Sequence, residues 1–157
     1  MCKTMKIFLC AVIGFVLFVG ACSQTANQET EAKQAVQSFY DAFNKHEFDN
    51  VQNFTTEDWI HINPFGGQTV GRAAVLKELK EVHESFLKGV TAKIEDISAR
   101  SAAPDAAIVT VTNLMGTYTT PDGIKHENER QIKTFVFVKR SGKWLIMQDQ
   151  NTIVGNK

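Results

Sequence analysis

The sequence predicts an α+β fold in which N-terminal helices cover one face of a curved antiparallel sheet. Three observations carry that prediction. Apolar residues recur at three- and four-residue spacing from Ala32 to Phe43 and from Val75 to Phe86, the periodicity of a helix with one buried face. Everything beyond Gly89 reads as strands, divided by the turn clusters Ala103-Pro104-Asp105, Pro121-Asp122-Gly123 and Ser141-Gly142. The later strands also exceed the usual length of about five or six residues, which calls for curvature and bulges. A curved sheet closed by helices forms a cone with an internal cavity.

In chain order, Lys3 and Lys6 make a positive start, Ile7 to Val19 is uncharged and apolar, and Val19-Gly20-Ala21-Cys22 ends in small residues. This is the pattern of a secretory signal over residues 1–21, with an apolar run too short to cross a bilayer comfortably. Its last four residues resemble a bacterial lipobox, which makes Cys22 the expected lipidated N-terminus of the mature chain. Residues 22–30 read as a polar, flexible tether. Thr30 is the expected N-cap of a helix starting at Glu31, with Ala32, Ala35, Val36, Phe39, Ala42 and Phe43 on its apolar stripe. The folded domain is expected over 31–155.

A short helical turn is expected over Phe48 to Phe54, and Asp58 to Asn63 alternates as a strand. Pro64-Phe65-Gly66-Gly67 turns the chain back into Gln68 to Val70. Gly71 opens a second helix running to about Leu87, and Gly89 ends it. Four strands follow, over Ala92 to Ser101, Ala106 to Thr119, Lys125 to Lys139 and Lys143 to Val154.

Composition excludes several function classes. The three cysteines, Cys2, Cys10 and Cys22, all lie in or at the end of the leader, so the domain itself has no disulfide, thiolate ligand or cysteine nucleophile. The chain balances 17 basic against 17 acidic residues, and losing Lys3 and Lys6 leaves a mildly acidic domain. No basic patch interleaved with aromatics stands out, so no nucleic-acid partner is expected. His46, His61, His83 and His126 show no ligand spacing, so no metal site is expected. There is no glycine-rich dinucleotide or phosphate loop and no Gly-x-Ser-x-Gly, and no cofactor is expected.

Phe39-Tyr40-Asp41-Ala42-Phe43-Asn44-Lys45-His46-Glu47-Phe48 is similar to the opening helix of a known superfamily, the nuclear transport factor 2-like cone fold. Asp58-Trp59-Ile60-His61-Ile62-Asn63-Pro64-Phe65-Gly66 resembles its first strand and turn, and Val70-Gly71-Arg72-Ala73-Ala74-Val75 its glycine-initiated helix. His83-Glu84-Ser85-Phe86 follows further along that helix. Lys143-Trp144-Leu145-Ile146 with Gln150-Asn151-Thr152 looks like its final strand. Within the superfamily the chain most resembles the SnoaL-like and SgcJ/EcaC-type small bacterial proteins. The resemblance spans roughly Glu31 to Val154 and implies the cone fold, which hosts isomerases, cyclases, dehydratases, binding proteins and assembly domains alike.

His83 shares a helical face with Leu76, Leu79 and Phe86, so it is a candidate inward-facing proton-transfer group; the alternative is a core histidine held by one polar partner. Trp59, His61 and Asn63 fall on one strand face, suited to a pocket wall or to a solvent or subunit face. Asp149 is the acidic candidate, since the superfamily's isomerases and cyclases place an acid in the cavity. Alternation groups Asp149 and Asn151 with Leu145 and Met147, against Gln148 and Gln150 with Trp144 and Ile146, and leaves open which set faces inward. Arg130 is a possible carboxylate clamp or the partner of an acid on a neighbouring strand. Tyr40, like Tyr118, is a possible oxyanion donor or an ordinary packing residue. Phe86 lines core or cavity.

The expected work is therefore binding a small, largely apolar molecule in the cavity. The rival is cofactor-independent isomerase, cyclase or dehydratase chemistry by His83 and Asp149, and the third class is an accessory protein-interaction domain. A homodimer through the outer sheet face is expected. So is a lipid anchor in a bacterial envelope. Ser23 follows the lipobox cysteine where an aspartate would retain the protein at the inner membrane, which points to the outer membrane, facing the periplasm.

Overall fold

A computed structural model describes residues 16–154, with side chains from Ala26 onward. The expected signal, with Lys3, Lys6, Cys2 and Cys10, falls largely outside them, as do the side chains of the lipobox. The first helix, α1, spans Val16–Lys45. Thr30 is thus not a cap. Its hydroxyl donates to the Ala26 carbonyl one turn back, at 2.9 Å. The polar stretch continues the helix because it contains no glycine or proline, and because it is docked: Gln28 is buried and its amide donates to the Pro104 carbonyl. Among the described residues no helix is long and apolar enough to cross a membrane.

A 3₁₀ turn at Val51–Phe54 leads into β1 (Thr55–Ile62), β2 (Gln68–Val70) and α2 (Arg72–Glu84). Then come β3 (Ala92–Ala103), β4 (Ala106–Met115), the two-residue β5 (Tyr118–Thr119) and β6 (Lys125–His126), β7 (Arg130–Arg140) and β8 (Lys143–Ile153). The main sheet has the order β2-β1-β8-β7-β4-β3, and β5 and β6 form a separate ribbon. All of its pairings are antiparallel except β1 with β8, the first and last long strands, which run parallel. The expected single strand over Ala106 to Thr119 breaks at Gly116, whose N–H donates to the Thr91 carbonyl. That over Lys125 to Lys139 breaks before Arg130.

The helices lie on one face of this sheet. Ala32, Val36, Phe39 and Tyr40 of α1 are buried against the inward side chains of β4 and β7, Val109, Val111, Phe135 and Phe137. Asn44, near the end of α1, finishes the edge strand β3: its amide exchanges both hydrogen bonds with the backbone of Ala92, at 2.8 and 3.0 Å. With Gln28 at the β3–β4 turn and Asn44 at the start of β3, α1 runs antiparallel to β3. Gly71, at φ 93 and ψ 131, adopts a backbone geometry closed to side-chain-bearing residues, donates its N–H to Trp59 O and receives the Val75 N–H that opens α2.

One irregularity decides the site. In the β7–β8 ladder Phe137 faces Ile146 while Val136 faces Gln148, so Met147 is an extra residue. The bulge reverses the alternation expected from sequence. Trp144 and Ile146 are buried before it and Asp149 after it, all on the same inner face.

Candidate active site

The site is assembled where β1, β8 and β7 lie side by side. His61 and Asp149 are directly paired across the parallel β1–β8 ladder. Lys133 pairs with Asn151 on the other flank of β8, one same-face position from Asp149. Period-two alternation puts Trp59 with His61 on β1, and Gln131 and Lys133 with Phe135 and Phe137 on β7, facing inward.

Asp149 is fully buried and accepts three hydrogen bonds. Trp59 Nε1 donates to Oδ1 at 2.7 Å. His61 Nδ1 and Lys133 Nζ both lie 2.8 Å from Oδ2. Burial pushes the Asp149 carboxyl up, but Lys133 and His61 outweigh it and hold the acid at about 2. The carboxylate is therefore a fixed negative charge, not a titrating one. Lys133 is itself only 5% exposed, with its ammonium 4.4 Å from the centre of the Phe39 ring and 5.1 Å from that of Phe135.

The carboxylate also sets the tautomer of His61. An Nδ1 facing a carboxylate carries a ring proton, so in the neutral ring Nε2 is the acceptor. Among the described residues Nε2 has no hydrogen-bond partner, and the ring lines a cavity of about 120 Å³. The cavity walls are chiefly Phe39, Phe43, Leu79, Val82, Phe86 and Met115, with Lys133, Gln131, Asn151 and Glu78 as polar points. That volume is close to the roughly 150 Å³ of an apolar cavity that takes a benzene ring.

The rim is also organised. Asn63 Oδ1 accepts the N–H groups of Phe65 and Gly67, both at 3.0 Å, and shapes the β1–β2 turn at the mouth. A Cβ on Gly67 would strike the Asn63 amide and displace that side chain. Across the mouth, Glu129 accepts from Tyr118 Oη and Gln131 Nε2 and lies 2.6 Å from His126 Nδ1, and Tyr118 stacks flat on the His126 ring. Burial first, then the bond to Glu129, push the Tyr118 phenol up.

Of the residues singled out from sequence, His61, Asn63, Phe86 and Asn151 line the cavity. Trp59 and Asp149 sit behind His61. Tyr40 points away, donating to Asn113 Oδ1 at 2.9 Å; burial and then the Asp149 charge raise its pKa, so it is a locked phenol in the wall. For Arg130 and His83 the structure takes the second of the two readings left open. Arg130 is exposed and forks onto Glu95 at 2.6 and 3.1 Å, outside the cavity, because the alternation that turns Gln131 and Lys133 inward turns Arg130 outward.

His83 is buried but packs between Phe43 and Phe48 with its Nδ1 2.5 Å from His46 Nδ1. It sits one residue, about 100° of helix, past the cavity-lining Val82. Burial, then the His46 ring, push it down to about 4, so it is a neutral core imidazole.

Lys133 and Glu78 were not anticipated. The signal for Lys133 lies in its strand: it is in phase with Phe135 and Phe137, whose large apolar side chains are fully buried. A lysine at such a position must find a buried anion.

Residues 36–146 match the family model described as the SnoaL-like domain. No curated protein matches the chain. Among solved structures, an uncharacterized protein with a cystatin-like fold from Caulobacter vibrioides is 25% identical, with a TM-score of 0.78 over 80% of this chain and 89% of that one. A ketosteroid isomerase-like protein from Erwinia carotovora atroseptica is 18% identical, with a TM-score of 0.66 over 82% and 98%. The association domain of C. elegans CaMKII is 15% identical, with a TM-score of 0.63 over 82% and 97%. The last two likenesses show the shared fold alone.

Proposed function

The chain belongs to the SnoaL-like domain family, and from that premise we propose that it binds a small, largely apolar molecule in the cavity and that His61 transfers a proton to or from it. The observation that carries this reading is the Asp149–His61 arrangement. A buried carboxylate holds one ring nitrogen at 2.8 Å, and the other nitrogen meets an apolar enclosure. An imidazole so held is a general base of fixed tautomer, with its lone pair aimed where a C–H or O–H of the guest would lie. Lys133 adds a buried ammonium on the same wall. It can stabilise an oxygen that gains charge as the proton leaves, which is the requirement of isomerisation or dehydration beside a carbonyl.

The test is exchange of α-hydrogens for deuterium in a small cyclic ketone such as cyclohexanone, followed by NMR in D₂O. The wild-type domain should accelerate exchange and His61→Gln should not. Equal rates for the two proteins would refute the proton-transfer role.

Further features of the proposal rest on sequence. Lipidation of Cys22 and attachment to a bacterial outer membrane, facing the periplasm, are supported by the charged start, the apolar run and Val19-Gly20-Ala21-Cys22. Fatty-acid labelling that is lost in Cys22→Ala tests it. The narrower SgcJ/EcaC-type assignment rests on the Asp58–Gly66 and Val70–Val75 motifs. A homodimer is supported by the likeness to an association domain and by Ile132, 39% exposed on the outer sheet face. Native mass spectrometry of the domain reads its mass directly.

A further inference from the structure

Two oxygen atoms at the cavity are buried and have no hydrogen-bond partner among the described residues: Oε2 of Glu78, from α2, and Oδ1 of Asn151, from β8. Buried acceptors are nearly always paired, because an unpaired one loses its water and gains nothing in return. The neighbouring protein donors do not reach these two oxygens. Gln131 Nε2 donates to Glu129 at 2.6 Å, and Lys133 is bonded to Asp149 and seated over two phenyl rings. The cavity therefore presents two buried acceptors that no protein donor reaches, set in apolar walls beside the Lys133 ammonium.

We infer that the guest carries at least one O–H or N–H donor on a ring-sized apolar body, and that Glu78 and Asn151 receive it. This rests on the cavity being a binding site and adds the polarity of what enters. The carboxylate of Glu78 is an acceptor in either orientation, so Glu78 is the principal determinant of that preference. Asn151 is the second. An anionic guest is disfavoured by Glu78. An alcohol or phenol and an amine share the required donor, and the two differ in charge.

The experiment measures binding of four single-ring probes, toluene, phenol, benzylamine and benzoate, to the wild-type domain and to Glu78→Leu and Asn151→Leu by ligand-observed NMR. Phenol or benzylamine should bind about tenfold or more tightly than toluene, the effect expected of one additional bond to a charged or buried acceptor. Benzoate should bind more weakly than phenol. In Glu78→Leu the preference should fall to near parity while toluene binding is kept or improved. Preference for phenol over benzylamine assigns a neutral hydroxyl guest, and the reverse assigns a cationic amine.

Toluene binding as tightly as both donors would overturn the inference and leave the cavity a binding site. So would a Glu78→Leu variant that folds and keeps the full preference. If no probe binds at millimolar concentration, the cavity reading itself fails. Thermal unfolding of both variants accompanies the titrations. Each should melt no lower than wild type, since each replaces an unpaired polar atom with an apolar one.

Discussion

Replacing Lys133 with methionine should destabilise the domain by about 3 kcal/mol at pH 7, near the lower end of what breaking a buried ion pair costs. The size follows from what remains. Asp149 has no exposed surface, and its closest fixed positive charge is the Lys133 ammonium at 2.8 Å. Methionine keeps most of the stem's packing against Phe39 and Phe135, so the loss is almost wholly electrostatic. The carboxylate retains the Trp59 N–H and His61, which is why the upper end of the range is not reached.

Urea unfolding followed by tryptophan fluorescence gives the number, and an unchanged m-value shows that stability alone has moved. Asp149→Asn should cost a similar amount, because it strands the lysine instead. The double variant Lys133→Met/Asp149→Asn should recover most of both losses, since no buried charge is left. The acid limb of the Lys133→Met stability profile should also begin at higher pH, because the acid loses the cation that holds it low. A cost below about 1 kcal/mol for Lys133→Met, or a double variant as unstable as the sum of the singles, would refute the ion-pair account.

Stability should fall as pH drops from about 6.5 to 4, because the unfolded chain protonates His83 in that window while the folded chain, with His83 at about 4, does not. The loss should approach roughly 3 kcal/mol and be absent from His83→Phe; a flat profile in wild type over that window would contradict the buried neutral imidazole. Asp149, at about 2, contributes stability present above pH 4 and lost below it. His83→Phe should leave cavity binding intact, as judged by the same ring-sized probes, because His83 faces Phe43 and Phe48. Gly71→Ala should cost about 1–3 kcal/mol by thermal unfolding, since φ 93 with ψ 131 is closed to alanine. Gln28→Ala should cost about 1 kcal/mol and raise amide exchange around the β3–β4 turn, where its amide bonds Pro104 O.

Much of the fold was legible because its signals are periodic. The stripe from Ala32 to Phe43, the glycine before α2 and the turns after β3 and β7 each state a local preference that the packed structure keeps. What was not legible depends on single residues whose effect is not periodic. Alternation along β8 placed Asp149 with Leu145 and Met147, and only the bulge at Met147 puts it with Trp144 and Ile146 instead. Strand pairing is equally hidden: nothing in the local sequence says that β1 will lie parallel to β8 and bring His61 beside Asp149. His61 was identifiable as a wall residue from its strand face, but not as the partner of an acid 88 residues away.

His83 shows where helical periodicity stops informing. Apolar neighbours at helical spacing reveal that a side chain is buried, without revealing which of two buried surroundings it enters. The tether expectation failed on a similar point, because polar composition between Ser23 and Glu29 does not break a helix that has Gln28 docked against Pro104.

The direction of α1 relative to β3 fixes how the molecule presents itself to its surroundings. Gln28 sits against the β3–β4 turn, while Phe43, Asn44 and the cavity residues Met115, Gln131 and Asn151 gather at the opposite end of the strands. At 1.5 Å per residue, the helix from Gln28 to Asn44 carries the chain about 24 Å from one end to the other. Any surface that grips the protein by its N-terminus therefore holds it by the closed end and turns the opening outward. A guest would arrive from the fluid side without having to pass between the protein and its support, and crowding of neighbouring copies on that support would leave the entrance clear.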